Sequence, residues 1–417
     1  MEGWQRKNRM GKRRSGLYIR LIAVTAEIRI KRRKQIMNKK EVLEIKKQFT
    51  PANCAITRIC GCYVDHEKNK RLKTKDAFLS LPEEDAFKYF EIFRKTLSGS
   101  IGKNLLNMEF QIDAEMPGGT QEFLLKLRNS KLQDNVLLEQ FYDKIIDSYN
   151  YSENYYIVLI HAMYDVPGKS SDGTEMFDAS DSVYEYLLCS ICPVSLSKPG
   201  LSYDAEDNRI HDRIRDWVVD KPDKGFLFPA FTDRNTDIHG TLYYTKKAGD
   251  LQEEFIENVL GTAVPVSAPT QKDLFNHLIE DTLGEDADYN IVRNIHETLN
   301  EMIEEYKINP EPLELDKTDL WNVFQKSGVI AEKMGEFDWS FETEFGRRPS
   351  IMAENITDSR VLSLDTQNVT VKVDAERMDL VETKIIDGRK CLVIAVDDYL
   401  EVNGVSVKPI GRKKDEV

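Results

Sequence analysis

The chain has 417 residues, of which 41% are apolar and 31% charged, with 22 glycines and 14 prolines. That composition suits about two or three packed domains and excludes wholesale disorder or a fibrous repeat. The longest apolar runs, Tyr155 to Ile160 and Cys391 to Val396, fall far short of the roughly twenty residues of a membrane helix, and six cysteines in so long a chain make no disulfide scaffold and suit a cytoplasmic setting.

Residues 1–36 carry twelve Lys or Arg against two acids, Glu2 and Glu27, for a net charge of +10; from Met37 onward 46 basic residues face 69 acids, a net of −23. A step that large marks a boundary. Leu21 to Val24 is too short for a secretory signal, and serine is too scarce for a transit peptide. A basic arm for nucleic acid or anionic lipid is one reading. The other is a misplaced start. Lys31-Arg32-Arg33-Lys34-Gln35-Ile36 can be encoded by a purine-rich ribosome-binding stretch, and Met37 opens a helical pattern. The expectation is that 1–36 is a mistranslated leader and that the protein proper starts at Met37.

The pattern from Met37 to Lys47 predicts a helix, and Ile56 to Val64 a strand. Lys68, Lys70, Arg71, Lys73 and Lys75 form the densest basic cluster after Met37 and read as a solvated loop. Ser80-Leu81-Pro82-Glu83 reads as a capping box with proline in the first turn of a helix. Phe87, Phe90, Phe93 and Leu97 give that helix one apolar face, and Ser98-Gly99 closes it. Two further helices follow, around Phe123 to Leu127 and Leu137 to Tyr149. Tyr155 to Ala162 does not alternate and reads as a strand buried on both faces. Residues 165–182 are polar and acidic and read as a long loop.

Tyr186 to Val194, Asp216 to Val219, Gly225 to Phe231 and Thr241 to Thr245 read as strands. From Asp250 the period becomes helical. Helices are expected before Gly261 and before Gly284, along Ile291 to Tyr306, and around Leu320 to Gln325, with Asn309-Pro310-Glu311-Pro312 as a breaker. Val369, Val371 and Val373 alternate as in a strand, and Asp387-Gly388 and Asn403-Gly404 each signal a tight hairpin. The predicted fold class is α+β. A mixed N-terminal region and β-rich middle form a domain over 37–248, followed by a helical section over 249–345, a C-terminal β-hairpin module over 346–410 and a solvated tail over 411–417.

Three clusters offer chemistry. Cys60, Cys62, Cys189 and Cys192 together could give a metal four thiolates. Both pairs lie in strand-like runs, however, and Cys189 and Cys192 would point to opposite faces, so core cysteine is the favoured reading. Gly99-Ser100-Ile101-Gly102-Lys103 resembles part of a phosphate loop but lacks the first glycine and the closing Ser or Thr, and it follows a helix instead of a strand. The stretch 207–239 gathers His211, Asp212, Arg215, Asp233, Arg234 and His239. There Asp212 and Asp233 could share a metal with His211 or His239, or the set could serve acid–base chemistry. Surface ion pairing is the plainer reading of such density. His277 and His296 sit among acids and read as solvated.

The strings ITRICGCYV from Ile56, LSGSIGKNLL from Leu97, LCSICPV from Leu188, DWVV from Asp216 and GFLFPAFTDR from Gly225 resemble a bacterial Firmicutes family described as domain of unknown function 4317. The resemblance runs from Met37 to the final hairpin and implies no activity, cofactor or site residue. The element order of the C-terminal half is similar to that of bacterial nucleoid-associated proteins, which implies a DNA-linked role. At −23 the body opposes tight binding of a polyanion. The reading that emerges is a cytoplasmic, non-catalytic binding or regulatory protein, nucleoid-associated if the second resemblance holds. No cofactor or membrane is implied. The partner is a protein or a nucleic acid, and homo-oligomerisation stays open. The alternative is a metal-dependent or hydrolase-like enzyme using the 207–239 loops.

Overall fold

A computed structural model describes residues 36–169, 175–284, 287–345, 351–396 and 399–407. The leader (save Ile36) and the tail lie outside the described residues. From the N-terminus, α1 (Lys39–Lys46) is capped by Asn38, whose side chain accepts from the Lys40 and Glu41 amides. Two strands follow, β1 (Ile56–Val64) and β2 (Lys70–Ala77), then α2 (Glu83–Thr96), β3 (Leu105–Glu109), α3 (Thr120–Asn129) and α4 (Asn135–Ser148). Next come the long strands β4 (Tyr155–Lys169) and β5 (Glu175–Leu196) and the shorter β6 (Leu201–Asp204), β7 (Arg209–Asp212) and β8 (Trp217–Val219). The region closes with β9 (Lys224–Phe228), β10 (Ala230–Thr232), β11 (Asn235–Asp237) and β12 (Gly240–Thr245).

The apolar runs do what their lack of alternation implies. An eight-stranded antiparallel sheet in the order β2-β1-β4-β5-β9-β12-β3, with β8 also on β5, carries a packed core on each face. On one face Cys60, Ile157, Leu159, Leu187 and Phe226 pack under α3, α4 and a turn formed by α5 (Glu253–Phe255) and the π-helical Ile256–Leu260. On the other, Ile59, Val158, Leu188 and Leu242 pack under α1 and α2.

Beyond the sheet, α6 (Ala268–Leu283), α7 (Tyr289–Tyr306), β13 (Glu314–Leu315), α8 (Lys317–Lys326), α9 (Met334–Phe345), β14 (Ile351–Met352) and α10 (Ala353–Ile356) share a separate core of Phe275, Leu299, Phe324 and Phe337. That unit seats on the turn after α2: Asn355 Nδ2 donates to the Gly102 carbonyl at 2.9 Å, and the Met352 side chain packs where a Gly102 Cβ would stand. Three hairpins end the described chain: β15 (Val361–Asp365) with β16 (Thr370–Asp374), β17 (Val381–Ile386) with β18 (Arg389–Ile394), and β19 (Leu400–Val402) with β20 (Val405–Val407). Asp387-Gly388 and Asn403-Gly404 turn the last two with positive φ at both central residues, as predicted.

Three local expectations are corrected. Of 165–182, the described residues are strand and not loop: β4 continues to Lys169 and β5 begins at Glu175, pairing Val166 with Ser182 and Pro167 with Ser180. A ribbon of two strands is held by backbone bonds and needs no apolar face, so its sequence carries no strand signal. The capping box at Ser80 does not form. Ser80 Oγ donates instead to the Ala77 carbonyl at 2.7 Å, within a 3₁₀ turn that buries Phe78, and α2 starts at Glu83 with Pro82 as its N-cap. Except for Lys68, which lies in the turn before β2, the basic cluster is a strand: Lys70 Nζ lies 2.8 Å from Glu139 and 2.7 Å from Asp143, Lys73 also meets Glu139, and Lys75 Nζ reaches Asn135 at 2.8 Å. These partners all lie on α4, and the two lysines hold the Glu139 carboxyl below its usual range.

No helix among the described residues is long and apolar enough to cross a membrane. The central strands admit charge only when it is paired. Lys224 on β9 is fully buried, with Nζ 2.6 Å from Asp223 and 3.1 Å from Asp250. Breaking such a set leaves carboxylates without their cation. Lys224→Met is expected to lower unfolding stability by about 3 kcal/mol, and adding Asp223→Asn should recover part of it. Urea denaturation of the three proteins checks both.

Candidate functional site

A glycine inside a buried strand gives up packing, and it marks a place where another group must come close. Gly61, in the middle of β1, stands between Thr74 on β2 and Val158 on β4. A Cβ there would lie 1.9 Å from Tyr156 Oη and 2.7 Å from Thr74 Oγ1. The missing side chain is therefore what allows the Tyr156 phenol to lie across β1. Its hydroxyl comes 3.3 Å from Tyr89 Oη on α2 and 3.5 Å from Thr74 Oγ1. Burial, then the neighbouring Tyr89, pushes the Tyr156 hydroxyl well above its ordinary pKa, so it remains a neutral donor.

These groups floor a cleft of about 590 Å³ between β2, α2 and the residues at and just after the end of β8. Leu81, Ile92 and Val219 supply apolar wall. Acids dominate the charged lining: Asp76, Asp85, Glu91 and Asp220 face Lys88 and Lys221. Glu91 lies 3.8 Å from Lys88, and Asp220 accepts from Ser195 Oγ at 2.7 Å. Among the described residues the carboxylates of Asp76 and Asp85 make no hydrogen bond or ion pair. Asp85 also stands in the first turn of α2, where negative charge suits the helix dipole. A lining of two tyrosines and exposed carboxylates is of the kind that suits a cation.

The sequence-predicted residues go elsewhere. Cys60, Cys62 and Cys189 lie in the core on one face of the sheet, with Cys60 and Cys189 flanking Leu159 in one row. Cys192 is three residues further along β5, beside Tyr156 in the pairing of β4 with β5. Burial raises the Cys60 and Cys62 thiols to about 11, and pushes Cys189 and Cys192 up as well. Among the described residues no three His, Cys, Asp or Glu side chains gather as a metal would need.

The set in 207–239 is divided among four places in the chain. His211 stays on the β6–β7 hairpin, with its ring against the Asp212 carbonyl and 3.8 Å from Asp204. Arg215 donates to the Ser197 carbonyl at 2.7 Å. Arg234, in the β10–β11 turn beside Asp233, meets Glu44 of α1 at 2.9 Å, and Glu44 also accepts from Tyr164 Oη at 2.9 Å. His239 pairs with Glu115 at 2.7 Å, and that contact raises the imidazole above its ordinary value.

Sequence reasoning missed Thr74, Tyr89 and Tyr156, and also a polar chain at the far end of β4. His161 is fully buried. Its Nδ1 lies 2.6 Å from Thr57 Oγ1 and its Nε2 lies 2.7 Å from Glu185. Thr57 is the extra residue of a bulge where β1 leaves register with β4, and the two contacts pin that bulge. The available signal was a histidine directly after six apolar residues. His296, expected in solvent, is instead largely enclosed: Nδ1 lies 3.0 Å from Thr357 Oγ1, and the ring meets Phe275 edge-on at 6.2 Å. The apolar face of α7 packs inward, so the acids around His296 in sequence are not around it in space.

The chain belongs to the family described as "Domain of unknown function (DUF4317)", which it matches over residues 37–405. No curated protein matches it.

Two outcomes are expected. Gly61→Ala should force the Tyr156 ring away and cost about 1–3 kcal/mol, whereas in a Tyr156→Leu background the same change should cost far less. A double-mutant cycle by denaturation reads that coupling. Burial lowers His296 to about 4. The unfolded imidazole titrates near 6.5, so between those values the unfolded chain takes up the proton. The contribution is full above pH 6.5 and is lost as pH falls toward 4. Stability of wild type relative to His296→Gln should drop by about 2–3 kcal/mol from pH 7 to pH 4, as measured by denaturation at each pH.

Proposed function

We propose that this chain, as a member of that family, is a cytoplasmic, non-catalytic binding protein whose ligand presents a cationic group to the Tyr89–Tyr156 cleft. One observation carries the reading: two carboxylates, Asp76 and Asp85, stand without partners at a cleft floored by two phenols. An ammonium or guanidinium over phenol rings gains cation–π attraction, and flanking carboxylates add charge-assisted hydrogen bonds. The ligand's charge also complements the net −23 from Met37 onward.

A protein partner suits these features better than nucleic acid. The lysines of β2 that could have formed a basic stripe are engaged by Glu139 and Asp143 of α4. A nucleoid-linked role would need a basic surface of another origin. The enzyme reading of 207–239 has less support, because its histidines and arginines take their partners from separate elements.

Titration with Nα-acetyl-arginine amide, followed by NMR or calorimetry, tests the proposal. The expected result is millimolar binding, weakened about fivefold by Asp85→Asn and by Asp76→Asn, since a partly exposed ion pair is worth up to about 1 kcal/mol. The neutral citrulline analogue should not bind. Equal binding of citrulline, or no effect of either variant, overturns the reading.

A further inference from the structure

We infer that the cationic group arrives on an extended peptide that adds a strand to the free edge of β2; this rests on the cleft being a cation seat. Among the described residues β2 ends the sheet and pairs only with β1, from Arg58–Ala77 to Val64–Lys70. Among the described residues, the backbone of 70–77 bonds no other backbone on its outer side. Its one backbone contact beyond β1 within the chain's turns is the Ala77 carbonyl, which accepts from Ser80 Oγ.

Exposed edges are normally guarded by proline, bulges, short length or outward lysines. β2 has eight residues and no proline, and its one bulge, at Arg71, lies near its start and leaves Leu72–Ala77 in regular register with β1. Its lysines are drawn onto α4, so they do not screen the edge. The other end of the sheet is treated differently. There the Asn107 side chain on β3 holds the Met37 backbone, accepting from Met37 N at 3.0 Å and donating to Met37 O at 3.0 Å. Among the described residues, β3 thus meets Met37 through one side chain, while the outer backbone of β2 meets no other strand.

The open edge and the cleft are in phase. Side chains alternate along a strand, so Lys73 and Lys75 turn to α4 while Thr74 and Asp76 turn to the cleft. A strand laid about 4.8 Å outside β2 would put every second side chain on the cleft face. A Lys or Arg opposite Thr74 or Asp76 would then project toward Tyr89 and Asp85. Backbone pairing would give affinity, and the acidic aromatic cleft would give specificity for the cation. The fitting partner is an extended, basic peptide segment with β-branched neighbours.

The probes are Ac-Thr-Val-Arg-Val-Thr-NH2 and two N-methylated forms, one methylated at both valines and the other at the arginine and both threonines. An added strand donates from only one of these sets. The expected result is that the parent peptide binds about tenfold or more tighter than Nα-acetyl-arginine amide. One methylated form should keep that gain while the other falls to the single-residue level. Amide exchange in residues 70–77 should slow on binding. If the parent peptide binds no tighter than the amide, if both methylated forms behave alike, or if exchange at 70–77 is unchanged, the edge inference is overturned while the cation seat stands. If neither the amide nor the peptide binds, the cation seat falls and the edge inference with it.

Discussion

A sheet covered on both faces leaves its central strands no water, and this constraint orders the rest of the molecule. The lysine of β9 and the histidine of β4 have found partners inside the cover, as has Ser190 on β5, whereas the phenol oxygens of Tyr155 and Tyr186 are buried without one among the described residues. Lys224 is held between Asp223 and Asp250, Ser190 meets Thr96 at 2.7 Å, and His161 is bonded through both ring nitrogens. Carboxylates without partners are tolerated where the cover stops and water reaches them. That place is the margin formed by β2 and the exposed side of α2, and there Asp76 and Asp85 stand.

The cleft at this margin is built by an omission. Removing one side chain from β1 lets a tyrosine from β4 cross beneath it and meet a tyrosine from α2. The site thus joins residues 74, 89, 156 and 219, which share no sequence motif. It also depends on the core behind it, since Tyr156 is held by the same strand that carries Val158 and Ile160 into the packed face. Folding and the shape of the cleft are therefore coupled at Gly61: a change that fills the gap disturbs both.

Legibility in the sequence followed the range of the interactions. The strands Ile56–Val64 and Tyr155 onward were readable because two-sided burial writes continuous apolar runs, and the final hairpins because Asp-Gly and Asn-Gly fix a turn locally. The ribbon at 165–182 was not, since backbone pairing imposes no composition. Ser80 misled because a hydroxyl can serve either a helix start or the turn before it, and tertiary burial of Phe78 decided between them. Charge density pointed to 207–239, but one-dimensional density does not say which groups face each other. In Cys60-Gly61-Cys62 the cysteines drew notice, yet the glycine between them shapes the site.

The same interior fixes how the chain meets oxidants. Cys60, Cys62, Cys189 and Cys192 are sealed inside the sheet with their thiols held protonated, so peroxide and disulfide reagents find no thiolate to attack. Redox inertness here is a property of strand pairing and not of chemistry at each sulfur. Once the strands part, three thiols from one face and one from the other are released together and become open to thiol–disulfide exchange.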